Sequence, residues 1–446
     1  MTMDRRAFLG LAAGGAATGA AAWAGLLALG DDGRRARPSG PTRAAGPAPA
    51  EGVDAGRAPT FGDRILVVVQ LSGGNDALNT LVPTAGAYRD ARPSLAITER
   101  GLVALPGEDG FSLHPALAPL AAQWKAGRLA ALASIGFEGA GRSHFEATDA
   151  WTAGAPGRSS RSGWLGRWLD ATIDDDPDPL RAIAIGSGAA SALRAERSPI
   201  TAIVDPDRFS LRAPRGVDDD VLAEALVATA VSPDAEDAAV DPLVAAARAS
   251  IPDAVAAVRR LAKVGVGAEG SADAAAKPAS GEGGTYAGGD VTDGLDLAAQ
   301  LIGEQLGTRI VVVGANGFDT HASQADEHQR LLGDLANGID RFQRTIEVAG
   351  LADRVLLVTT SEFGRRVAEN GSGGTDHGNG GVQFLVGHGL ARAVVVGDLD
   401  AARPDDEGDL RPTIDARSLY SVALDWLGGP VTEIVGGRYD TYDLLA

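Results

Sequence analysis

The chain has 446 residues, with 40 Lys and Arg against 59 Asp and Glu, giving a formal net charge of -19. So acidic a surface repels nucleic-acid phosphates and anionic membranes, and neither is an expected partner. With no cysteine, disulfides, thiolate metal sites and thiol nucleophiles are excluded, which leaves His, Asp, Glu and hydroxyl groups to hold any metal.

The chain opens with Asp4-Arg5-Arg6-Ala7-Phe8-Leu9, followed over residues 10–29 by an uncharged stretch of mostly Ala, Gly and Leu. An arginine pair ahead of a weakly apolar run reads as a twin-arginine signal peptide over residues 1–29. The alternative is a membrane anchor, because a stretch of about 20 residues can span a bilayer. The first reading implies the twin-arginine export machinery as a partner and a periplasmic, secreted or cell-surface location. Residues 30–62 are dominated by Gly, Pro, Ala, Asp and Arg without apolar periodicity, the composition of a disordered linker. Folded structure is expected over residues 63–446.

Short aliphatic or β-branched runs at residues 65–71, 129–135, 183–185, 309–313, 355–359, 384–386 and 393–396 predict buried strands. Helical patterns separate them, so the expected fold is a three-layer α/β/α sandwich around a mostly parallel sheet. From about Ser323 to Gly350, Leu331, Leu332, Leu335, Ile339, Phe342 and Ile346 mark one face of a long helix. A second helix is expected over residues 419–427. Residues 214–292 turn Ala-rich and then, from 265 to 289, rich in Gly, Ser, Ala and Glu, which suggests an insertion ending in a flexible loop. The acidic runs 174–176 and 218–220 lack an ordered calcium-ligand pattern and read as solvated loops.

Two of the six histidines sit beside aspartates in Gly-bounded loops, as Gly317-Phe318-Asp319-Thr320-His321 and Gly374-Thr375-Asp376-His377-Gly378. One such pair more often makes a structural hydrogen bond, but two of them favour metal binding. If the chain stays extended, Asp319 and His321 point to the same side. Adjacent Asp376 and His377 diverge, as though serving two cations, which in two-metal sites lie ~3.5–4 Å apart. Asp76, in Ser72-Gly73-Gly74-Asn75-Asp76, follows the first predicted strand and is either a ligand or a helix cap. Asn75 and Asn79 could touch substrate.

Ser143, in Gly141-Arg142-Ser143-His144-Phe145, is either an N-cap or a nucleophile at a helix start that favours anions, with Arg142 and His144 as donors. Glu362, in Ser361-Glu362-Phe363-Gly364-Arg365, follows another strand and suits a ligand, a general base or a partner behind a ligand. Arg365 or Arg366 could hold an anionic group. His388 follows the strand 384–386 and is a candidate ligand, whereas His328 on the long helix is equally a core-edge histidine. His114 is given no role. The Gly-rich tract 371–381 is no dinucleotide fingerprint, since no strand leads into it and no helix opens from it.

Thr375-Asp376-His377-Gly378-Asn379 resembles the Asp-His-Gly-Asn motif of cofactor-independent phosphoglycerate mutases, members of the alkaline phosphatase-like superfamily. The wider set resembles a bacterial family of twin-arginine-exported proteins of unknown function in that superfamily. Its matching segments are Leu71 to Asp76, Ser143-His144-Phe145, Gly317 to His321 with Gln324, Ser361 to Arg365, Gly374 to Gly378 and Asp425-Trp426-Leu427-Gly428. The resemblance implies a two-metal hydrolase scaffold, with Asp76, Ser143, Asp376 and His377 around one cation and Asp319, His321 and another histidine around a second. The Asp319-Thr320-His321 spacing departs from the superfamily pattern, so His328 or His388 substitutes or the second metal is absent.

The expected function is therefore exported, metal-dependent hydrolysis of phosphate or sulfate monoesters, with Ser143 as nucleophile and one or two divalent ions (Zn, Mn, Mg or Ca). The small anionic ester itself cannot be named from sequence. The competing readings are a non-catalytic binding or surface-assembly protein and, behind it, a metal-free serine hydrolase.

Overall fold

The computed structural model describes residues 61–155, 161–175, 177–230, 242–267 and 291–446. The expected signal peptide, nearly all of the expected linker and most of the Gly-rich segment 265–289 lie outside the described residues.

The main sheet is built from β1 (Ile65–Ser72), β5 (Leu129–Gly136), β6 (Ala182–Ile185), β7 (Thr201–Ile203), β8 (Ile310–Asn316), β9 (Val355–Thr360), β10 (Gly381–Val386), β11 (Val394–Gly397) and β12 (Ile414–Asp415). Its order is β11-β5-β10-β9-β1-β8-β6-β7, with β12 on β5. Strand β1 is central, in parallel register with β8 (Val68 opposite Val312) and with β9 (Val68 opposite Val358). Only β10 is reversed, pairing antiparallel with both β9 and β5.

Both faces of the sheet are covered, as continuous apolar strands require. Along β1, Ile65, Val67, Val69 and Leu71 face a layer containing the helices Val291–Gly303 and Gln324–Val348. Leu66 and Val68 face the opposite layer, with Trp164–Ala171 and Ala416–Leu427. The chain is thus an α/β/α sandwich with a mixed, largely parallel sheet, as its periodicity predicts. In the long helix Leu332, Leu335, Ile339, Phe342 and Ile346 are fully buried, each worth ~1.5–3 kcal/mol relative to exposure.

Several short elements have no sequence signature. They are edge strand β7, β12, and a small antiparallel sheet of β2 (Leu81–Pro83), β3 (Val103–Ala104) and β4 (Phe111–Leu113). Residues 218–220 open the helix Asp219–Ala230, where Asp218 accepts from the Asp220 N–H and Asp219 from the Ala213 N–H. That acidic run is a helix start. The reversal of β10 has a larger consequence. It brings Gly381 to the edge where β1, β8 and β9 end, and carries His388 to the opposite edge.

Candidate metal centre

Three loops meet at the C-terminal edge of β1, β8 and β9. After β1, Gly73 and Gly74 turn at φ +120° and +79°. A Cβ on Gly73 would lie 2.3 Å from the Asp319 nitrogen, and one on Gly74 would lie 2.2 Å from the Phe363 ring, so only glycine lets the loops close on one another. After β8, the Thr320 N–H donates to Phe318 and the His321 N–H to Asp319. The segment is therefore folded back rather than extended as expected, yet Asp319 and His321 still meet. The loop after β9 carries Glu362, Arg365, Asp376 and His377.

Arg365 ties these loops together. It is fully buried and donates to the carbonyls of Gly73, Gly74, Phe318 and Thr375 and, at 2.8 Å, to Asp319 Oδ1. It is thus a structural clamp, and the expected role of holding a substrate anion does not fit its surroundings. Partial burial would raise the Asp319 carboxyl, but the Arg365 guanidinium and the His377 ring outweigh it and hold its pKa at about 2.

Three imidazoles surround Asp319. His321 Nε2 is 3.0 Å and His377 Nε2 3.1 Å from Oδ1, and His144 Nε2 is 3.4 Å from Oδ2. His321 Nε2 and His377 Nε2 are 2.8 Å apart. Each ring is backed by an acceptor at Nδ1: the Arg142 carbonyl at 2.8 Å for His377, Glu362 at 2.8 Å for His144, and Asp376 at 3.5 Å for His321. A carbonyl or carboxylate only accepts, so in a neutral ring it fixes the proton on Nδ1 and leaves a lone pair on Nε2. These lone pairs converge on an ionised carboxylate, an arrangement that calls for an added proton or a cation. His144, Asp319 and His377 offer ligand atoms within 4.8 Å of one another, so the donor set fits a divalent ion. The Glu362 hydrogen bond also raises the His144 pKa above its ordinary value, against the opposing effect of burial.

The other expected site residues divide. Asp376 and His377, expected to serve two cations, both reach His321 instead, Asp376 at its Nδ1 at 3.5 Å and His377 at its Nε2 at 2.8 Å. Asp376 also accepts from Asn370 at 3.1 Å, which lowers its pKa. Glu362 is the buried partner of His144 and accepts the Gly73 N–H as well. Ser143 is the exposed N-cap of the helix His144–Ala153, and its side chain makes no capping bond.

Asp76 does not join the cluster. It lies fully buried in an ion pair with Arg92 at 2.6 Å and accepts from Gln324, whose carbonyl receives the Thr375 hydroxyl at 2.7 Å. Burial would raise its pKa, but Arg92 and the other neighbours lower it overall. Neither Asn75 nor Asn79 faces substrate. Both are buried, Asn75 bound to His328 and Thr80, and Asn79 to Tyr88 and Arg92. His388 sits between Asp353 and Glu347, at 3.1 Å from each, on the far edge of the sheet. It cannot reach this site because the strand before it runs backwards. His328 is a buried core residue. His144, read from sequence only as a donor, is a ligand candidate whose one sequence signal was its place next to Ser143.

Over residues 63–416 the sequence matches the model of the family described as Protein of unknown function (DUF1501), and the chain belongs to that family. No protein of curated function matches it. Similar solved structures include a protein in the alkaline phosphatase superfamily from Vibrio parahaemolyticus, at 9% identity and TM-score 0.39, covering 86% of this chain and 71% of that one. The lipoteichoic acid synthase from Listeria monocytogenes shows 9% identity and TM-score 0.37, with 87% and 78% covered. A sulfatase from Pseudoalteromonas sp. shows 10% identity and TM-score 0.34, with 86% and 72% covered.

Proposed function

We propose that this protein is an exported, metal-dependent hydrolase of phosphate or sulfate monoesters in which Ser143 is the nucleophile. One observation carries the reading: imidazole nitrogens with their outer sides already occupied converge on an ionised aspartate, and one of these rings, His144, directly follows in the chain Ser143, an exposed serine free of capping. A divalent cation held by His144, Asp319 and His377 would neutralise the charge of the transferring group. Arg365 keeps Asp319 ionised, and Glu362 and the Arg142 carbonyl hold two rings in their receiving tautomer. Ser143 Oγ would then lose its proton and bond to phosphorus or sulfur as the ester oxygen departs and takes up a proton to become the alcohol; water then cleaves the serine ester, its oxygen leaving on the phosphate or sulfate and a proton returning to Ser143 Oγ.

The test is turnover of aryl phosphate and aryl sulfate by the full chain, chelator-treated and then resupplied with Zn2+, Mn2+, Mg2+ or Ca2+. Metal-dependent turnover that Asp319→Ala abolishes is the expected result. Turnover indifferent to chelation and to that substitution would refute it. The export part rests on Arg5-Arg6 and the uncharged residues 10–29, and predicts that replacing both arginines by lysine retains the protein inside the cell.

A second reading, a binding or surface-assembly protein on the same scaffold, is favoured by the arginines around the cluster. Arg142 is taken by Asp409 and Glu407, and Arg365 is buried, so neither is presented to an anionic substrate. Metal binding without turnover of either ester class would select it.

A further inference from the structure

We propose that His321 completes, with His144, Asp319 and His377, a single-cation centre of three imidazole nitrogens and one carboxylate. It is suited to a borderline first-row ion such as Zn2+ rather than to Mg2+ or Ca2+. The inference rests on the metal reading above and specifies the number and kind of ion.

The first argument is spacing. Ligand bonds to such an ion are ~2.0–2.3 Å, so neighbouring donors on one ion stand about 3 Å apart. His321 Nε2, His377 Nε2 and Asp319 Oδ1 form a triangle with sides of 2.8, 3.0 and 3.1 Å. Donors this close fit one ion rather than a pair ~3.5–4 Å apart, and His144 joins them through Asp319 and His377, whose ligand atoms lie within 4.8 Å of its own.

The second argument is the chemistry of the donors. Imidazole nitrogen suits Zn, Cu, Fe and Ni, whereas Mg and Ca prefer carboxylate, carbonyl and water oxygens. Near the cluster the carboxylates are mostly committed elsewhere. Asp76 is paired with Arg92, Glu362 serves His144, and Asp376 stands behind His321. Each of these carboxylates is thus tied to a partner other than the centre of the cluster, where Asp319 supplies the oxygen.

The test is calorimetric titration of the chelator-treated full chain with Zn2+, Mg2+ and Ca2+, with bound metal counted by elemental analysis. One Zn2+ per chain is expected, with Mg2+ and Ca2+ more than about 1,000-fold weaker. His321→Ala and His321→Gln should each weaken Zn2+ by more than the ~10–100-fold that loss of an outer partner costs. The melting temperature of the metal-free protein should not change. His388→Ala should bind as the parent does. Two Zn2+ per chain, comparable Mg2+ affinity, or unchanged Zn2+ affinity in both His321 variants would overturn the single nitrogen-rich centre while leaving metal-dependent hydrolysis standing. Binding of no ion at all would overturn both.

Discussion

Glu362 accepts the Nδ1–H of His144 at 2.8 Å with the same Oε1 that accepts the Gly73 N–H at 2.8 Å. One buried carboxylate oxygen thus fixes both the first glycine turn and the orientation of a candidate ligand ring. Glu362→Gln keeps the shape but removes the charge behind the imidazole. Metal affinity should fall ~10–100-fold, read by titration calorimetry. Unchanged affinity would show that His144 does not ligate.

Ser143 carries no structural bond that its loss would break. Ser143→Ala should lower ester turnover by about 1,000-fold or more while metal affinity and melting temperature stay at parental values. A variant that keeps its turnover would move the nucleophile elsewhere, to water in the first instance.

Arg92 is the counter-ion of Asp76, and both are almost completely buried. Arg92→Met leaves a carboxylate stranded in the interior, and urea unfolding should show a loss of ~3–5 kcal/mol. The paired change Arg92→Met with Asp76→Leu should recover much of it.

His114 and His328 are both buried, and burial pushes each down to a pKa of about 4. The unfolded chain takes up their protons near pH 6.5, whereas the native protein holds them neutral to about pH 4. Their contribution is therefore intact above pH 6.5 and is lost as the pH falls through that window. Urea midpoints measured from pH 7 to pH 4 should decline with the slope of about two protons. His328→Gln, which keeps a donor for Asn75, should roughly halve that slope. A parent protein as stable at pH 4.5 as at pH 7 would contradict the assignment.

The architecture was legible because short β-branched runs alternating with helical patterns read as buried parallel strands. Residues 65–71 and 355–359 fall within β1 and β9, and the stripe from Leu331 to Ile346 lies on the helix Gln324–Val348. Strand direction is not written in hydropathy, so residues 384–386 gave no hint that β10 is reversed and that His388 lies on the far edge. Asp76 looked like a ligand because its partner Arg92 lies 16 residues away and carries no motif. His144 was underrated for a related reason: the carboxylate behind it lies 218 residues along the chain. Residue type and spacing reveal which groups carry chemistry, but whether each is presented or neutralised depends on partners that only the folded chain assembles.

The Arg365 clamp also bears on motion. One guanidinium joins the carbonyls of Gly73, Gly74, Phe318 and Thr375, so none of these three loops can open without breaking bonds to the other two. Hydrogen exchange of the amides in residues 73–75, 318–321 and 375–378 should then proceed as one cooperative opening with a common free energy. Arg365→Lys, unable to reach four carbonyls at once, should split it into separate local events.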